Sequence, residues 1–327
     1  MNFRLQFPIP ALEPPISYGD KLLLMGSCFA EEMGGLLDQH KFDVLLNPHG
    51  ILYNPASLVN ALNGYLSGKV YEQSDLFFHE GLWHSWDHHG RFSDPDAGRC
   101  LDSINRSATL ASRRLSEADW LVLTFGGAFV YSLKEDHQIV ANCHKLPAHR
   151  FEKKMLRPDE VISALDNFMH RLFLQNHRVK ILFTISPVRY AKDGVTENQL
   201  SKAVLLLAVH QLVRKFDRLY YFPAYELVID DLRDYRFFKE DLVHPNDMAV
   251  QYVWEKFTAA CLSPESHTLL QAVSEILKAA GHRQIHGQTE AYKRFAEKYQ
   301  TKIRQLKRKY PFLNFEREEK IFSSAME

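Results

Sequence analysis

Five short apolar runs, each bounded by polar or turn-forming residues, punctuate the first two thirds of the chain and predict buried strands over 21–25, 43–46, 120–125, 179–185 and 219–222. Between them apolar residues return every three or four positions, which predicts helices over 28–40, 55–67, 101–115, 158–176 and 197–216. Near-continuous apolar strands alternating with amphipathic helices are the pattern of a doubly wound α/β fold, a parallel sheet covered on both faces. Two stretches, 77–92 and 129–141, break the alternation and read as insertions near the strand ends, the second as a hairpin. Beyond about residue 262 the strands stop. Tyr292, Phe295, Ala296, Tyr299, Ile303, Leu306 and Tyr310 then make one apolar stripe on a long helix. That stripe docks either on the core or on a partner helix, the second option giving a homodimer through the C-terminal helices. The chain therefore divides into a main domain over 1–262 and a C-terminal helical extension over 263–327.

Composition narrows the partners more than the fold. With 327 residues, 46% hydrophobic and 24% charged, the chain has ordinary globular content. Lys+Arg and Asp+Glu both number 40, so no global field attracts nucleic acid or anionic lipid. The basic cluster Lys302, Arg304, Lys307, Arg308 and Lys309 reads as a solvated helix face. Residues 1–15 hold four prolines and no signal-peptide core, and no apolar run reaches the ~18 residues of a membrane span, so a cytoplasmic location is expected. Cys28, Cys100, Cys143 and Cys261 show no C-x-x-C pairing and read as reduced thiols.

Candidate chemistry concentrates at two places. The first strand runs straight into Gly26-Ser27-Cys28-Phe29-Ala30, which delivers Ser27 to a tight turn at a helix N-terminus. Ser27 is either a nucleophile or only a helix N-cap; Cys28, a thiol in the first turn and pointing away from the strand end, is a competing nucleophile. Far downstream, Asp241-Leu242-Val243-His244-Pro245 places a carboxylate three residues before an imidazole, on one face if the segment is helical. Asp241 can then hold His244 Nδ1–H while Nε2 takes the serine proton, completing a Ser-His-Asp triad. His84, His88 and His89 accompany Trp83, Trp86 and Asp87, but without helical metal-ligand spacing. No metal and no cofactor is expected; this grouping reads instead as a substrate-contacting rim, with His89 in it.

Gly26-Ser27-Cys28-Phe29-Ala30 resembles the signature of the GSCFA family, a branch of the SGNH/GDSL-like hydrolases, and so do the 47–55 segment, Asn142-Cys143-His144-Lys145, Ser186-Pro187-Val188 and the Asp241–Pro245 segment. The resemblance implies a flavodoxin-like three-layer α/β/α sandwich with a five-stranded parallel sheet, and acyl-ester chemistry at the strand ends with Ser27 as nucleophile. The family pattern supplies oxyanion donors from the serine N–H, a glycine after the second strand and an asparagine after the third. Gly50 matches the glycine. The third-strand segment Gly126-Gly127-Ala128-Phe129 carries no asparagine and departs from the near family's Gly-Thr-Ala-Trp at Gly127 and Phe129. Gly127 N–H or Asn142 then fills the gap, Asn142 being equally readable as a turn cap. Asn47 and Asn54 flank the glycine loop as either turn residues or substrate contacts, and His144 is a candidate polar contact. The expected activity is hydrolysis of a short, acetyl-like ester on a small-molecule or carbohydrate-like acceptor. Acyl transfer by the same residues and a silent binding module of the same fold are the alternatives.

Overall fold

The computed structural model describes residues 5–282 and 289–323. The five apolar runs form β1 (Lys21–Gly26), β2 (Asp43–Leu46), β5 (Trp120–Phe125), β9 (Lys180–Ile185) and β10 (Leu219–Phe222), all parallel, in the order β10-β9-β5-β1-β2. The predicted helices appear as α1 (Cys28–Gln39), α2 (Pro55–Ser67), α3 (Ala97–Glu117), α4 (Pro158–Gln175) and α5 (Val195–Lys215). Local chemistry sets their ends. Asn54 accepts the Ser57 N–H ahead of Pro55 at the start of α2, and Glu160 returns to the Arg157 N–H at the start of α4.

Strand alternation sorts the core into two halves. Leu23, Met25, Leu121, Leu123, Phe125, Ile181 and Phe183 face α2, α3, α4 and α5. Leu22, Leu24, Trp120, Val122, Leu182 and Phe222 face α1 and the later helices. Each such fully buried side chain contributes about 1.5–3 kcal/mol of transfer free energy. The three layers and the five-stranded parallel sheet are thus those the sequence predicts.

Beyond the sheet come α6 (Ala224–Glu226), continued by a π-helical turn at Leu227–Asp231, then α7 (Asp247–Cys261), α8 (Pro264–Ala280), α9 (Glu290–Lys309) and α10 (Glu316–Ser323). The stripe residues Ala296 and Ile303 of α9 are buried, and Phe295, Tyr299, Leu306 and Tyr310 pack on the same core half as Leu22 and Trp120. The stripe is used on the chain's own core. Residues 283–288 and 324–327 of the expected C-terminal extension lie outside the described residues. No described helix is long and apolar enough to cross a membrane.

Both insertions carry strands. The first is a hairpin of β3 (Leu76–His79) and β4 (Leu82–Ser85). The second is three-stranded: β6 (Phe129–Leu133) pairs with β7 (Ile139–Val140) and with β8 (Phe151–Met155), in the order β7-β6-β8. The insertions touch through Ala141 N–H to Trp86 O (2.8 Å) and His144 Nε2 to Ser85 O (2.9 Å). A cleft of about 470 Å³ opens between them, lined by Phe77, Trp86, Asp87, Gln138 and Arg150 among others; Ser27 and its neighbours do not line it.

Candidate active site

Chain order reverses at β1, since β2 is added on one side of it and β5 on the other. In doubly wound sheets the crevice at that reversal, beyond the carboxyl ends of the strands, is where ligands bind. Ser27 lies there. The turn that carries it depends on Gly26, which has φ +147° and whose added Cβ would lie 2.1 Å from the Thr124 carbonyl oxygen. Gly26 N–H donates to Asn47 Oδ1 (2.8 Å), Gly26 O accepts Leu52 N–H (3.0 Å) and Ser27 N–H donates to Thr124 O (3.1 Å).

These bonds fix the Ser27 backbone and leave its side chain idle. Ser27 is 1% exposed and precedes the first residue of α1, but its hydroxyl makes no capping bond. Ser27 Oγ has no hydrogen-bond partner among the described residues. A buried hydroxyl without a partner is uncommon enough to need a reason. Cys28 is half-buried, its thiol pushed up by burial and favoured as thiolate by the N–H groups of Phe29 and Cys28 and by Lys202. The thiol is within electrostatic reach of the buried Lys202.

His244 and Asp241 meet as the spacing predicts, though by a different local geometry. The segment is a turn ahead of α7, with Leu242 at φ +57°, and not a helical turn. Asp241 Oδ1 accepts the Val243 and His244 N–H groups (both 2.9 Å), and Oδ2 accepts His244 Nδ1–H at 2.6 Å. Those two backbone bonds and then the ring bond hold the Asp241 carboxyl down to about 2. The pair is solvent-accessible, with side chains 41% and 48% exposed. Arg189 N–H to Val243 O (3.2 Å) and the Lys239–Glu32 ion pair (3.6 Å) tie this turn to the segment after β9 and to α1.

The loop residues read from the sequence are each engaged elsewhere. Gly50, at φ +79°, packs on His89, where a Cβ would sit 2.2 Å from His89 Cβ; its N–H donates to Asn47 O (2.7 Å). Gly127 N–H, with Gly126 N–H, donates to Tyr53 O (3.1 and 2.7 Å). Asn47 is buried and latches the Gly26 turn, while Asn54 caps α2. Asn142 Oδ1 accepts His144 N–H (2.8 Å), a turn-capping bond. His144 is buried among Phe77, His84 and Trp86, and burial pushes its ring down to about 4. His89 is half-buried, with Nδ1 accepting Arg91 N–H (3.2 Å). No described group of three or more His, Cys, Asp or Glu is arranged to hold a metal ion.

Around Ser27 the structure adds residues the sequence did not single out. Tyr53 and Tyr190, 48% and 51% exposed, flank the crevice, and the Tyr53 hydroxyl interacts with Cys28, Tyr190 and Glu31. Tyr131 reaches Tyr190 from the second insertion, and Lys153 lies 4.2 Å over the Phe129 ring. Beneath the turn, Lys202 of α5 is 1% exposed. The latch also makes a stability prediction: Asn47→Ala strands the buried Gly26 N–H and is expected to cost about 1–3 kcal/mol, read as a lowered urea midpoint with unchanged slope.

A family model described as the GSCFA family matches residues 21–257, and one described as GSCFA domain protein, C-terminal domain, matches residues 273–327. No curated protein matches. Among solved structures the chain is similar to a carbohydrate esterase family 3 from Talaromyces cellulolyticus, at 12% identity and a TM-score of 0.35, over 78% of this chain and 99% of that one. It is also similar to an acetyl xylan esterase from the rumen bacterium Butyrivibrio proteoclasticus, at 9% identity and a TM-score of 0.31, over 78% of this chain and 64% of that one.

Proposed function

The chain belongs to the GSCFA family, and from that premise we propose that it is a serine esterase of SGNH type acting on short acyl esters. The observation that carries the reading is the Ser27 hydroxyl, buried at the strand-to-helix turn with neither a capping bond nor any other partner among the described residues. A serine that only capped α1 would spend its oxygen on a first-turn N–H.

In the reaction Ser27 Oγ attacks the acyl carbon, the C=O electron pair moves onto oxygen, and His244 Nε2 takes the serine proton. Asp241 holds the His244 Nδ1–H, leaving Nε2 as the base, and stabilises the imidazolium. Ser27 Oγ is not yet bonded to His244, and such contacts commonly tighten only when substrate excludes water. The alkoxide of the leaving group takes the proton back, water repeats the attack on the acyl-enzyme, and Ser27 is restored.

The oxyanion is received at the N-terminus of α1. Among the described residues the N–H groups of Cys28 and Phe29 take no backbone carbonyl and meet only the Cys28 thiol, whereas those of Ser27, Gly50 and Gly127 each donate to a carbonyl. Gly50, Gly127 and Asn142 contribute only if substrate displaces their present partners. Tyr53, Tyr131 and Tyr190 give the crevice aromatic faces with hydroxyl tips, suited to a hydroxylated, carbohydrate-like acceptor.

Labelling with a fluorophosphonate probe tests the reading directly. One adduct per chain, mapped to Ser27 by mass spectrometry and absent in Ser27→Ala, is expected. A wild-type chain that stays unlabelled at millimolar probe would favour a silent binding module.

A further inference from the structure

One face of α5 is apolar through Leu205, Ala208, Val209 and Leu212, yet toward its N-terminus the same buried face carries Asn198, Ser201 and Lys202. All three reach loops at the carboxyl ends of the sheet. Asn198 Oδ1 accepts Tyr190 N–H (2.9 Å), and Ser201 Oγ accepts Ala128 N–H (2.7 Å). Lys202 Nζ donates to Gly126 O and Ser186 O, both at 2.6 Å, and so ties the turn after β5 to the turn after β9. Gly126 is the residue packed on the nucleophile's turn, since a Cβ there would lie 3.4 Å from Ser27 Cβ.

We propose that Lys202 is a positioning residue for Ser27: clamped to the Gly126 and Ser186 carbonyls, its cation fixes the turn against which Ser27 packs and holds positive charge beside the first turn of α1, where acyl transfer builds an oxyanion. The inference rests on the serine-esterase reading. Its physical basis is an imbalance. A buried ammonium costs several kcal/mol unless an anion meets it, and Lys202 makes no ion pair with Asp or Glu among the described residues. The groups that face it are the two carbonyls, the Cys28 thiol of α1 and, 5.8 Å away, the Tyr225 ring of α6; Glu32 faces the same thiol. Burial pushes its pKa down and the Cys28 thiolate pushes it back up, just as Lys202 favours the thiolate, so each charge is favoured while the other is present. The anion that offsets this cost forms during turnover.

The test uses Lys202→Gln, which keeps two N–H donors for the carbonyls and removes the charge, with Lys202→Met removing both. Cys28 serves as a reporter that needs no esterase activity: its iodoacetamide alkylation is followed against pH by peptide mass spectrometry. In Lys202→Gln, with thermal melting showing a retained fold, the Cys28 profile is expected to move up by about one pH unit. In the same variant kcat toward p-nitrophenyl acetate is expected to fall about 10²-fold with KM within about twofold. An unchanged thiol profile overturns the proposal whatever happens to the rate, and so does a shifted profile with an unchanged kcat. A shifted profile in a chain whose wild type neither hydrolyses esters nor takes the fluorophosphonate supports the placement of the charge and overturns the esterase reading alone.

Discussion

Ser27→Ala is expected to lower kcat/KM toward p-nitrophenyl acetate by about 10³-fold or more, and His244→Ala by a comparable factor, because triad members act as a unit. The double variant should then be scarcely slower than either single one. Asp241→Asn should lie between wild type and these, since an amide at that place no longer fixes the Nδ1–H tautomer. Cys28→Ala is the control and should keep most of the rate. The pH dependence carries a sign. Asp241 is held down to about 2 by its backbone and ring donors, so it stays ionised above that pH and its contribution is lost only as pH falls through about 2. Loss of rate between about pH 8 and pH 4 therefore belongs to another group. A Cys28→Ala chain as dead as Ser27→Ala would transfer the nucleophile's role to the thiol.

Gly26→Ala is the second large effect, and it acts on stability. At φ +147° an alanine is strained, and its methyl carbon would sit 2.1 Å from Thr124 O, 2.8 Å from Thr124 C and 2.9 Å from Thr124 Cβ. Those atoms belong to a central strand flanked by β1 and β9 and cannot retreat without breaking the ladder. The expected cost is about 3 kcal/mol or more, seen as a drop of roughly 5–10 °C in thermal midpoint. Any folded fraction should also turn over poorly, because Ser27 follows directly on the displaced residue. A midpoint within about 1 °C of wild type would mean that the turn relaxes freely.

Much of this was legible in the chain because parallel strands buried on both faces leave uninterrupted apolar runs. β2, β5 and β10 fall where those runs predict. What escaped did so for identifiable reasons. β8 reads Phe-Glu-Lys-Lys-Met, with Glu152, Lys153 and Lys154 exposed on an outlying sheet, so neither alternation nor apolarity marks it. α3 begins at Ala97, earlier than periodicity suggests, because Asp96 caps it through the Arg99 N–H. In the site, the Asp241–His244 spacing was informative although the turn is not helical. Spacing constrains which side chains meet and says less about the backbone between them. The loop donors could not be judged from sequence, since whether Gly50 or Gly127 offers a free N–H depends on carbonyls such as Tyr53 O, distant in the chain. Lys202 did leave a trace: it occupies a core-facing step of the α5 repeat, where a cation is out of place.

The core half that holds Leu22, Leu24, Trp120, Val122 and Leu182 continues outward through Leu269, Leu270, Val273 and Ile276 of α8 to Ala296, Ile303, Phe315 and Phe322. All five strands of the sheet thus leave the ribosome before the segment that completes that core half. During synthesis the nascent chain exposes a broad apolar surface for the time needed to add about 100 residues after β10, several seconds or more at ordinary elongation rates. A chaperone that shields exposed apolar surface would find its longest opportunity in that interval, and stalled or truncated translation products should aggregate where the finished chain does not.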